Sequence, residues 1–224
     1  PLNSSVPFPI GTTLGLSYIG PENITTPIAN IGLVRQAPTV GTMNVGFHPR
    51  IYYYGGNTIV YAIVEQPDGK ILVGGQFTQV NSDQGGASAG VSRINIARFN
   101  KDGSVDTTFN ASGVISNAST QAVYDIKLTP AGKILVVYAS SPYVIQLNSD
   151  GTSDGTFNVN INGGLNSVVS KMELLTVGSN AGKIVIIGQF TSVQGNTTYN
   201  VARLNSDGSI DSTFLNTNNY QTPT

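Results

Sequence analysis

The sequence predicts an all-β protein in which four-stranded antiparallel sheets repeat along the chain after an N-terminal proline-rich extended arm. Two observations lead to this fold class. Three short signatures recur in the same order three times within the 224 residues. The segments between them are runs of β-branched residues separated by turns rich in Gly, Asp and Pro. Together these patterns indicate one unit of β-structure that is used repeatedly.

The three signatures can be read directly from the sequence. The first is D-G-x-x-D-x-x-F, which occurs as DGSVDTTF at 102–109, DGTSDGTF at 150–157 and DGSIDSTF at 207–214. The second surrounds a Gly-Lys pair, in PDGKILVGGQFT at 67–78, PAGKILVVYAS at 130–140 and NAGKIVIIGQFT at 180–191. The third precedes the first, as IARFN at 96–100, VIQLN at 144–148 and VARLN at 201–205.

Each element of the repeat follows from its local sequence. Residues 58–66 predict a strand, and Pro67 to Gly69 predict a tight turn because Pro presets φ and Gly accepts positive φ. The next strand contains Gly74 and Gly75, which suggest a bulge or a close backbone approach. A loop, a third strand, the Asp102 turn and a short fourth strand complete the unit. Four strands in about 50 residues are typical of a β-propeller blade.

One stretch, KMELLTV at 171–177, has a composition that also suits a helix. It falls where the other repeats place their first strand, so a strand is predicted there.

The signatures QPDGKILVGGQFT and ARFNKDGSVDTTF resemble the delta-60 repeat, a bacterial and phage β-propeller-type repeat, and the resemblance covers about residues 58–214. It implies the fold and no single activity, because propellers support many functions. The second copy departs from the pattern. Ala131 replaces the turn Asp, and VVYAS stands in place of GGQFT. A less regular outer edge is therefore expected in the second blade.

The repeats define the expected domains. Residues 1–45 form the extended arm, which contains six of the eleven prolines and includes a degenerate half-blade from about residue 30. Dense proline is incompatible with central strands. The β-propeller repeats occupy 46–224, at about 58–110, 121–158 and 167–215. The N-terminal residues lack the basic and apolar regions of a signal peptide, so none is expected.

The Asp-rich turn permits two interpretations. The spacing N-x-D-G-x-x-D resembles the later part of a calcium loop, although Arg98 and Arg203 then stand where the first carboxylate ligand belongs. The structural interpretation gives Asp102 an Asx turn, Gly103 a positive φ, and Arg98 an ion pair with Asp106. In the second copy Gln146 replaces the arginine, so Asp154 must find another donor.

The structural interpretation is favoured, with the closing phenylalanines filling the space between neighbouring blades. The residues assigned to this motif are Asp102, Gly103, Asp106 and Phe109, then Asp150, Gly151, Asp154 and Phe157, then Asp207, Gly208, Asp211 and Phe214.

Composition argues against several functions. The net charge is −1 and only 10% of the residues are charged, which does not favour a nucleic-acid partner. There is no Cys and a single His, and no hydrolase, phosphate-loop or metalloprotease motif occurs. No apolar run approaches the length of a membrane span. We therefore expect a non-enzyme with no cofactor, no metal, no nucleic-acid partner and no membrane insertion.

The remaining candidate for function is the run Tyr52, Tyr53 and Tyr54, because alternating side chains of a strand cannot all face inward. Exposed tyrosines are frequent contact residues at interfaces. The expected function is a structural or recognition module, as a phage virion tail or fibre component whose arm attaches to the particle. Its partners would be other subunits of an assembly, as a homo-oligomer or a multi-protein particle, and a host-surface glycan or protein. The alternative is a secreted or cell-surface bacterial β-propeller that acts as an adhesin or as a protein- or glycan-binding module.

Overall fold

The computed structural model describes residues 17–19, 25–27, 49–53, 57–81, 90–159 and 164–214. The chain divides into two compact units, Pro1–Asn44 and Val45–Thr224. In the first unit the described residues are two strands, β1 (Ser17–Ile19) and β2 (Thr25–Pro27), which pair antiparallel. The rest of the predicted arm and the half-blade from about residue 30 lie outside the described residues.

The described strands of the second unit are short. In chain order they are β3 (Arg50–Tyr52), β4 (Ile59–Glu65), β5 (Ile71–Gln76), β6 (Gln79–Asn81), β7 (Val91–Ser92), β8 (Ile96–Phe99), β9 (Val123–Leu128), β10 (Ile134–Tyr138), β11 (Val144–Leu147), β12 (Val169–Leu174), β13 (Ile184–Gly188), β14 (Ser192–Val193), β15 (Asn196–Thr197) and β16 (Val201–Leu204). Two single 3-10 turns, Gly178–Asn180 and Ser212–Phe214, are the helical elements of the described residues. No helix among them is long and apolar enough to cross a membrane.

Each repeat forms one antiparallel sheet. The first sheet has the order β4-β5-β8, the second β11-β10-β9, and the third β12-β13-β16. In all three, the Gly-Lys turn joins the first two strands, and the middle strand also pairs with the strand of the third signature. The all-β prediction is confirmed, and the repeated small antiparallel sheets are those expected of a β-propeller-type fold.

The predicted four-stranded blades are not confirmed, because each of these sheets has three strands. The fourth segment is reduced to one bridge per repeat, Phe99 with Val105, Leu147 with Ser153, and Leu204 with Ile210. The reason is a second turn that begins at once. Asp106 Oδ1 accepts a hydrogen bond from the backbone N–H of Thr108 at 2.9 Å, which turns the chain away from the sheet before a further pair can form.

The stretch at 171–177 is a strand over most of its length, as predicted. β12 ends at Leu174, and Met172 and Leu174 are buried while Lys171 and Glu173 are exposed. This alternation has the period of two that a strand facing a core on one side requires.

Buried side chains join the sheets face to face. Between the first and second sheets lies an apolar cluster that includes Leu72, Ile96, Phe109, Val123, Ile126, Ile134, Val136 and Leu147. Between the second and third sheets lies a second cluster that includes Leu135, Val137, Phe157, Val169, Met172, Ile184, Ile186 and Leu204. Successive residues of β10 alternate between these two clusters, so the second sheet is packed on both faces by its neighbours in sequence. The other face of the first sheet contributes Val73, Ala97 and Phe99 to a third cluster, with Phe77 and Val80.

Glycine is required at Gly74 and at Gly75 for two different reasons. A Cβ on Gly74 would lie 2.4 Å from Val123 Cγ1 of the second sheet, so this position needs a small residue for the two sheets to meet. A Cβ on Gly75 would lie 2.0 Å from the carbonyl oxygen of Ile59. The pairing of β4 with β5 shifts register between Val60 and Ala62, opposite these glycines. The predicted bulge and close approach are therefore both present.

Accessory strands extend the first and third repeats. β6 pairs with β3 and β7, and β14 pairs with β15. Within the described residues the second repeat has a tight turn in their place, closed by the Tyr143 N–H donating to Ser140 O at 2.7 Å. The less regular outer edge expected for this repeat corresponds to the loss of the accessory hairpin, while its three main strands remain regular.

Candidate functional site

The Asp-Gly turn has the same geometry in all three repeats. Asp102 Oδ1 accepts hydrogen bonds from the backbone N–H of Ser104 at 2.9 Å and from its hydroxyl at 2.6 Å. Gly103 follows with φ of +84°. Asp150 and Asp207 bind Thr152 and Ser209 in the same way, and Gly151 and Gly208 have φ of +92° and +87°. Each turn is thus an Asx turn that requires glycine in its second position.

The second Asp of the motif is buried in an ion-pair network. Asp106 Oδ2 accepts hydrogen bonds from Arg98 Nε and Lys70 Nζ, both at 2.8 Å. Its other oxygen accepts from the Thr108 hydroxyl at 2.6 Å. The predicted Arg98–Asp106 pair is therefore present. The pair is buried, and Arg98 Nη1 also donates to Ser149 O in the turn of the second repeat at 2.6 Å.

The same position is satisfied differently in the other repeats. Asp211 pairs with Arg203 at 2.6 Å and with Lys183 at 2.7 Å. In the second repeat Asp154 accepts from Lys133 and from the amide of Gln146, both at 2.6 Å. Gln146 thus remains a donor at the place of the arginine, and the lysine supplies the positive charge.

The lysine of the Gly-Lys pair is the partner that sequence reasoning missed. Lys70, Lys133 and Lys183 each reach the second Asp of their own repeat from the Gly-Lys turn, which lies at the same end of the sheet as the Asp-Gly turn. The signal was present, because this lysine recurs in all three copies of the second signature. Its spacing from the Asp varies from 21 to 36 residues, so no local pattern joined the two.

These contacts shift the carboxyl pKa values. Burial alone would raise the pKa of Asp106, but hydrogen bonds from Lys70, Thr108 and Arg98 outweigh it and hold the pKa well below its usual range. The pKa of Asp154 is lowered chiefly by Lys133, and that of Asp211 chiefly by Lys183. All three carboxylates are ionised and neutralised within their own repeat. Such groups are poorly suited to bind a further cation, and this disfavours the calcium interpretation.

The closing phenylalanines differ in their surroundings. Phe109 is fully buried and Phe157 nearly so, as predicted for residues between blades. Phe214 is 37% exposed, so the expectation of equivalent burial is wrong for the third copy. Its side chain still contacts the arginine of its repeat, with Arg203 Cζ 4.6 Å from the ring centroid, as Arg98 does with Phe109 at 5.0 Å. No described sheet lies beyond Phe214 to cover it.

The tyrosine run is only partly described. Tyr52 ends β3 and is exposed, Tyr53 is half-buried, and Tyr54 lies outside the described residues. A contact role for these three residues stays a prediction.

Another pair of tyrosines, which the sequence did not single out, lies on the first strands of two neighbouring sheets. The rings of Tyr61 and Tyr124 meet edge to face with centroids 5.3 Å apart. They line a groove of about 300 Å³ together with Val168, Ser170 and Lys171. Neither tyrosine hydroxyl makes a hydrogen bond to another described residue.

Comparison with known proteins gives one family. A family described as "Domain of unknown function (DUF5122) beta-propeller" matches residues 66–109 and 182–214. The match supports a β-propeller-type family. The matched segments belong to the first and third repeats, each ending at the phenylalanine of its D-G-x-x-D-x-x-F signature. The divergent second repeat is not matched.

Similarity beyond the family is slight. A crystal structure of a protein of unknown function from Bacteroides caccae aligns with 16% identity and a TM-score of 0.29, over 68% of this chain. The alignment spans 65% of the length of that protein. No curated protein matches the chain in sequence.

Proposed function

We propose that the protein is a non-enzymatic structural and recognition module built from delta-60-type repeats, and that it is a tail or fibre component of a phage virion. In this proposal the arm at 1–45 attaches to the particle and the propeller faces outward. Its partners are other subunits of the particle, and its outer surface contacts a host-surface glycan or protein.

The observation that carries the proposal is that the motif carboxylates are used within the repeats, while large apolar side chains are exposed on the surface. The motif carboxylates, which are the most obvious candidates for chemistry, are all used in turns and ion pairs within their repeats. What the described chain offers to solvent instead is large apolar and aromatic side chains, among them Val60, Tyr61, Ile63, Ile187 and Tyr199. Exposed apolar groups of this size favour contact with another macromolecule.

Low charge supports the same proposal. Only 10% of the residues are charged, and the solvent-facing positions are rich in Asn, Ser and Thr. A surface of amides and hydroxyls suits close packing in an assembly, because little charge has to be desolvated when two such surfaces meet.

A second candidate function is a secreted or cell-surface adhesin that binds glycans. The groove beside Tyr61 and Tyr124 favours it, because the two rings are inclined at 72° and their hydroxyls have no hydrogen-bond partner among the described residues, so they suit the apolar faces and hydroxyl groups of a sugar. Ser170 and the Lys171 amine, which already donates to Tyr124 O at 3.0 Å, add polar groups at the rim.

The two candidates are separated by locating the protein. Antibodies against the whole chain are applied to density-purified phage particles and to washed host cells and culture medium free of phage. Immunogold labelling at a fixed point of the tail supports the virion proposal. Label confined to cell surfaces or to the medium contradicts it and favours the adhesin.

A further inference from the structure

The three sheets stack in sequence, so each has a leading face toward the preceding repeat and a trailing face toward the following one. Inside the chain the trailing face of one sheet packs on the leading face of the next. On the leading face of the first sheet, Val73, Ala97 and Phe99 are buried in a cluster with Phe77 and Val80. Two apolar patches on the outer faces are nevertheless exposed. On the leading face of the first sheet Val60 is 46% and Ile63 is 67% exposed. On the trailing face of the third sheet Ile187 is 47% exposed, and Phe214, which closes the motif that follows the sheet, is 37% exposed.

Strand register shows that the leading patch corresponds to buried positions in the other repeats. Ile63 pairs with Val73, as Ile126 pairs with Val136 and Met172 with Ile186. Ile126 and Met172 are buried against the preceding sheet. Val60 likewise corresponds to Val123 and Val169, both fully buried. Val60 and Ile63 are therefore exposed at positions where the other two repeats are buried by a preceding repeat.

The trailing patch matches this leading patch. Ile187 pairs with Val201 on β16, as Gly74 pairs with Ile96 and Val137 with Val144. A Cβ at Gly74 would lie against Val123 and Ile126, at 2.4 and 2.9 Å. By the same geometry Ile187 belongs against the equivalents of those two residues. In a repeat that follows the third sheet, these would be Val60 and Ile63.

In the described part of the chain, a hydrogen bond between the first and second repeats also lacks its equivalent at the end of the third repeat. Arg98 Nη1 donates to Ser149 O of the second repeat at 2.6 Å. Arg203 uses Nε for Asp211 and Nη2 for Thr213, and its Nη1 has no partner among the described residues. Ser149 lies between the Asn and Asp of its motif, and Lys101 has that place in the first repeat. The Lys101 carbonyl is thus the equivalent acceptor for Arg203 Nη1.

From these equivalences we infer that a second copy of this chain covers both patches, with the trailing face of each copy on the leading face of the other. The occupant is a copy of the chain because the chain itself carries both halves of the interface. Two reciprocal contacts would join the three described repeats of each copy in a two-fold ring, and six repeats are within the usual range of four to eight for propellers. The inference depends on the proposed function in one respect: both take the partner of these faces to be another protein subunit.

The first test is the mass of the full chain in solution. Light scattering after gel filtration is expected to give about twice the 23.4 kDa of one chain at micromolar concentration. Ile63→Asp and Ile187→Asp should each give the monomer mass while keeping the circular dichroism spectrum. The control Val177→Asp changes an apolar residue that is still more exposed but lies in a turn, and should leave the dimer intact. A monomeric wild-type chain would overturn the inference.

The second test uses the absence of cysteine from the 224 residues. Ile63→Cys and Ile187→Cys chains with different tags are co-expressed and oxidised, and a disulfide between unlike chains is expected. Each variant alone should remain uncrosslinked, because the contact joins unlike faces. Val177→Cys with Ile187→Cys is the control. Self-crosslinking of Ile63→Cys would mean a symmetric face-to-face dimer and overturn the head-to-tail arrangement.

A third outcome separates this inference from the proposed function. If Ile63→Cys is protected from a thiol reagent in a monomeric chain, another segment of the same chain covers the patch and the ring is wrong. Labelling of virions by the antibody in that case would leave the virion proposal standing.

Discussion

At the residue scale, Asp106 shows how the motif uses its charge. One carboxylate oxygen receives Arg98 and Lys70, and the other begins a turn through Thr108. A single side chain thus links the Gly-Lys turn to the third strand at one end of the sheet and turns the chain out of it. Because the group is buried, its value to the fold depends on having all of these partners.

Replacement of Arg98 by Ala is expected to lower the free energy of unfolding by about 3 kcal/mol, because it leaves a buried carboxylate with Lys70 as its one charged partner. Urea denaturation measures the change. Arg203→Ala is the matched control and should cost less, since Arg98 also donates from Nη1 to Ser149 O and Arg203 has no such bond among the described residues. Equal and small losses in both variants would mean that the pairs behave as surface ion pairs.

Gly103→Ala should lower the free energy of unfolding by at least about 1 kcal/mol, because alanine is strained at positive φ. Gly103 has φ of +84°. Gly113→Ala is the control, since a Cβ there meets no atom within 4 Å and its φ is not in the left-handed region. The same denaturation experiment compares them, and equal effects would refute the Asx-turn argument for Gly103.

At the element scale, the sheets are stabilised by their neighbours rather than by their own length. Each has three strands of four to seven residues, and its apolar faces are buried by the adjacent sheets. The same motif residue therefore contributes a different amount to the free energy of unfolding in each repeat, depending on whether a neighbouring sheet covers it. The closing phenylalanine is the clearest case.

Phe109→Ala is expected to cost roughly 3–5 kcal/mol in the free energy of unfolding, as for other fully buried phenylalanines. Phe214→Ala should cost markedly less in the isolated chain because its ring is 37% exposed. Thermal and urea unfolding at low protein concentration, where a dimer would dissociate, make the comparison. A Phe214→Ala loss as large as that of Phe109→Ala would show that the ring is covered in solution.

At the scale of the whole molecule, the three buried carboxylates act together on acid stability. The pKa values of Asp106, Asp154 and Asp211 are depressed in the folded state, while unfolded Asp titrates near pH 3.9. Their contribution is therefore complete above about pH 5 and is lost progressively as pH falls below it. The urea midpoint should be flat from pH 7 to 5 and then fall steeply.

Substitution separates these groups from the other carboxylates. Asp154→Asn should be less stable at pH 7 and should show a shallower loss on acidification. Asp68→Asn, at an exposed turn, should follow the wild-type curve. If Asp154→Asn kept the wild-type pH dependence, the loss would originate elsewhere.

Metal dependence is also a property of the whole chain, because the motif occurs in every repeat. Since the motif carboxylates bind Lys, Arg, Gln, Ser and Thr side chains, EDTA should leave the melting temperature unchanged and added Ca²⁺ should not raise it. Differential scanning fluorimetry in the two conditions is sufficient. A drop of several degrees on chelation that Ca²⁺ reverses would restore the calcium-loop interpretation.

The sequence by itself determined what depends on neighbours along the chain. The repeated signatures located the sheets, the Asp-Gly pairs located the turns, and Arg98 was paired with Asp106 across one hairpin. In each case a local pattern leaves few alternatives, because strand alternation and positive φ restrict the backbone directly. The strand at Val169–Leu174 was recognised for the same reason, since the repeat placed it.

Only the tertiary structure decided what depends on distant neighbours. Lys70 reaches Asp106 across 36 positions of sequence. The motif that buries Phe109 leaves Phe214 exposed, because one has a following sheet and the other has none among the described residues. The fourth strand was reduced to a bridge because the turn at Asp106 competes with sheet pairing. Whether a residue is buried or paired depends on the residues that pack opposite it. These residues are distant in sequence, so a repeated motif does not predict them.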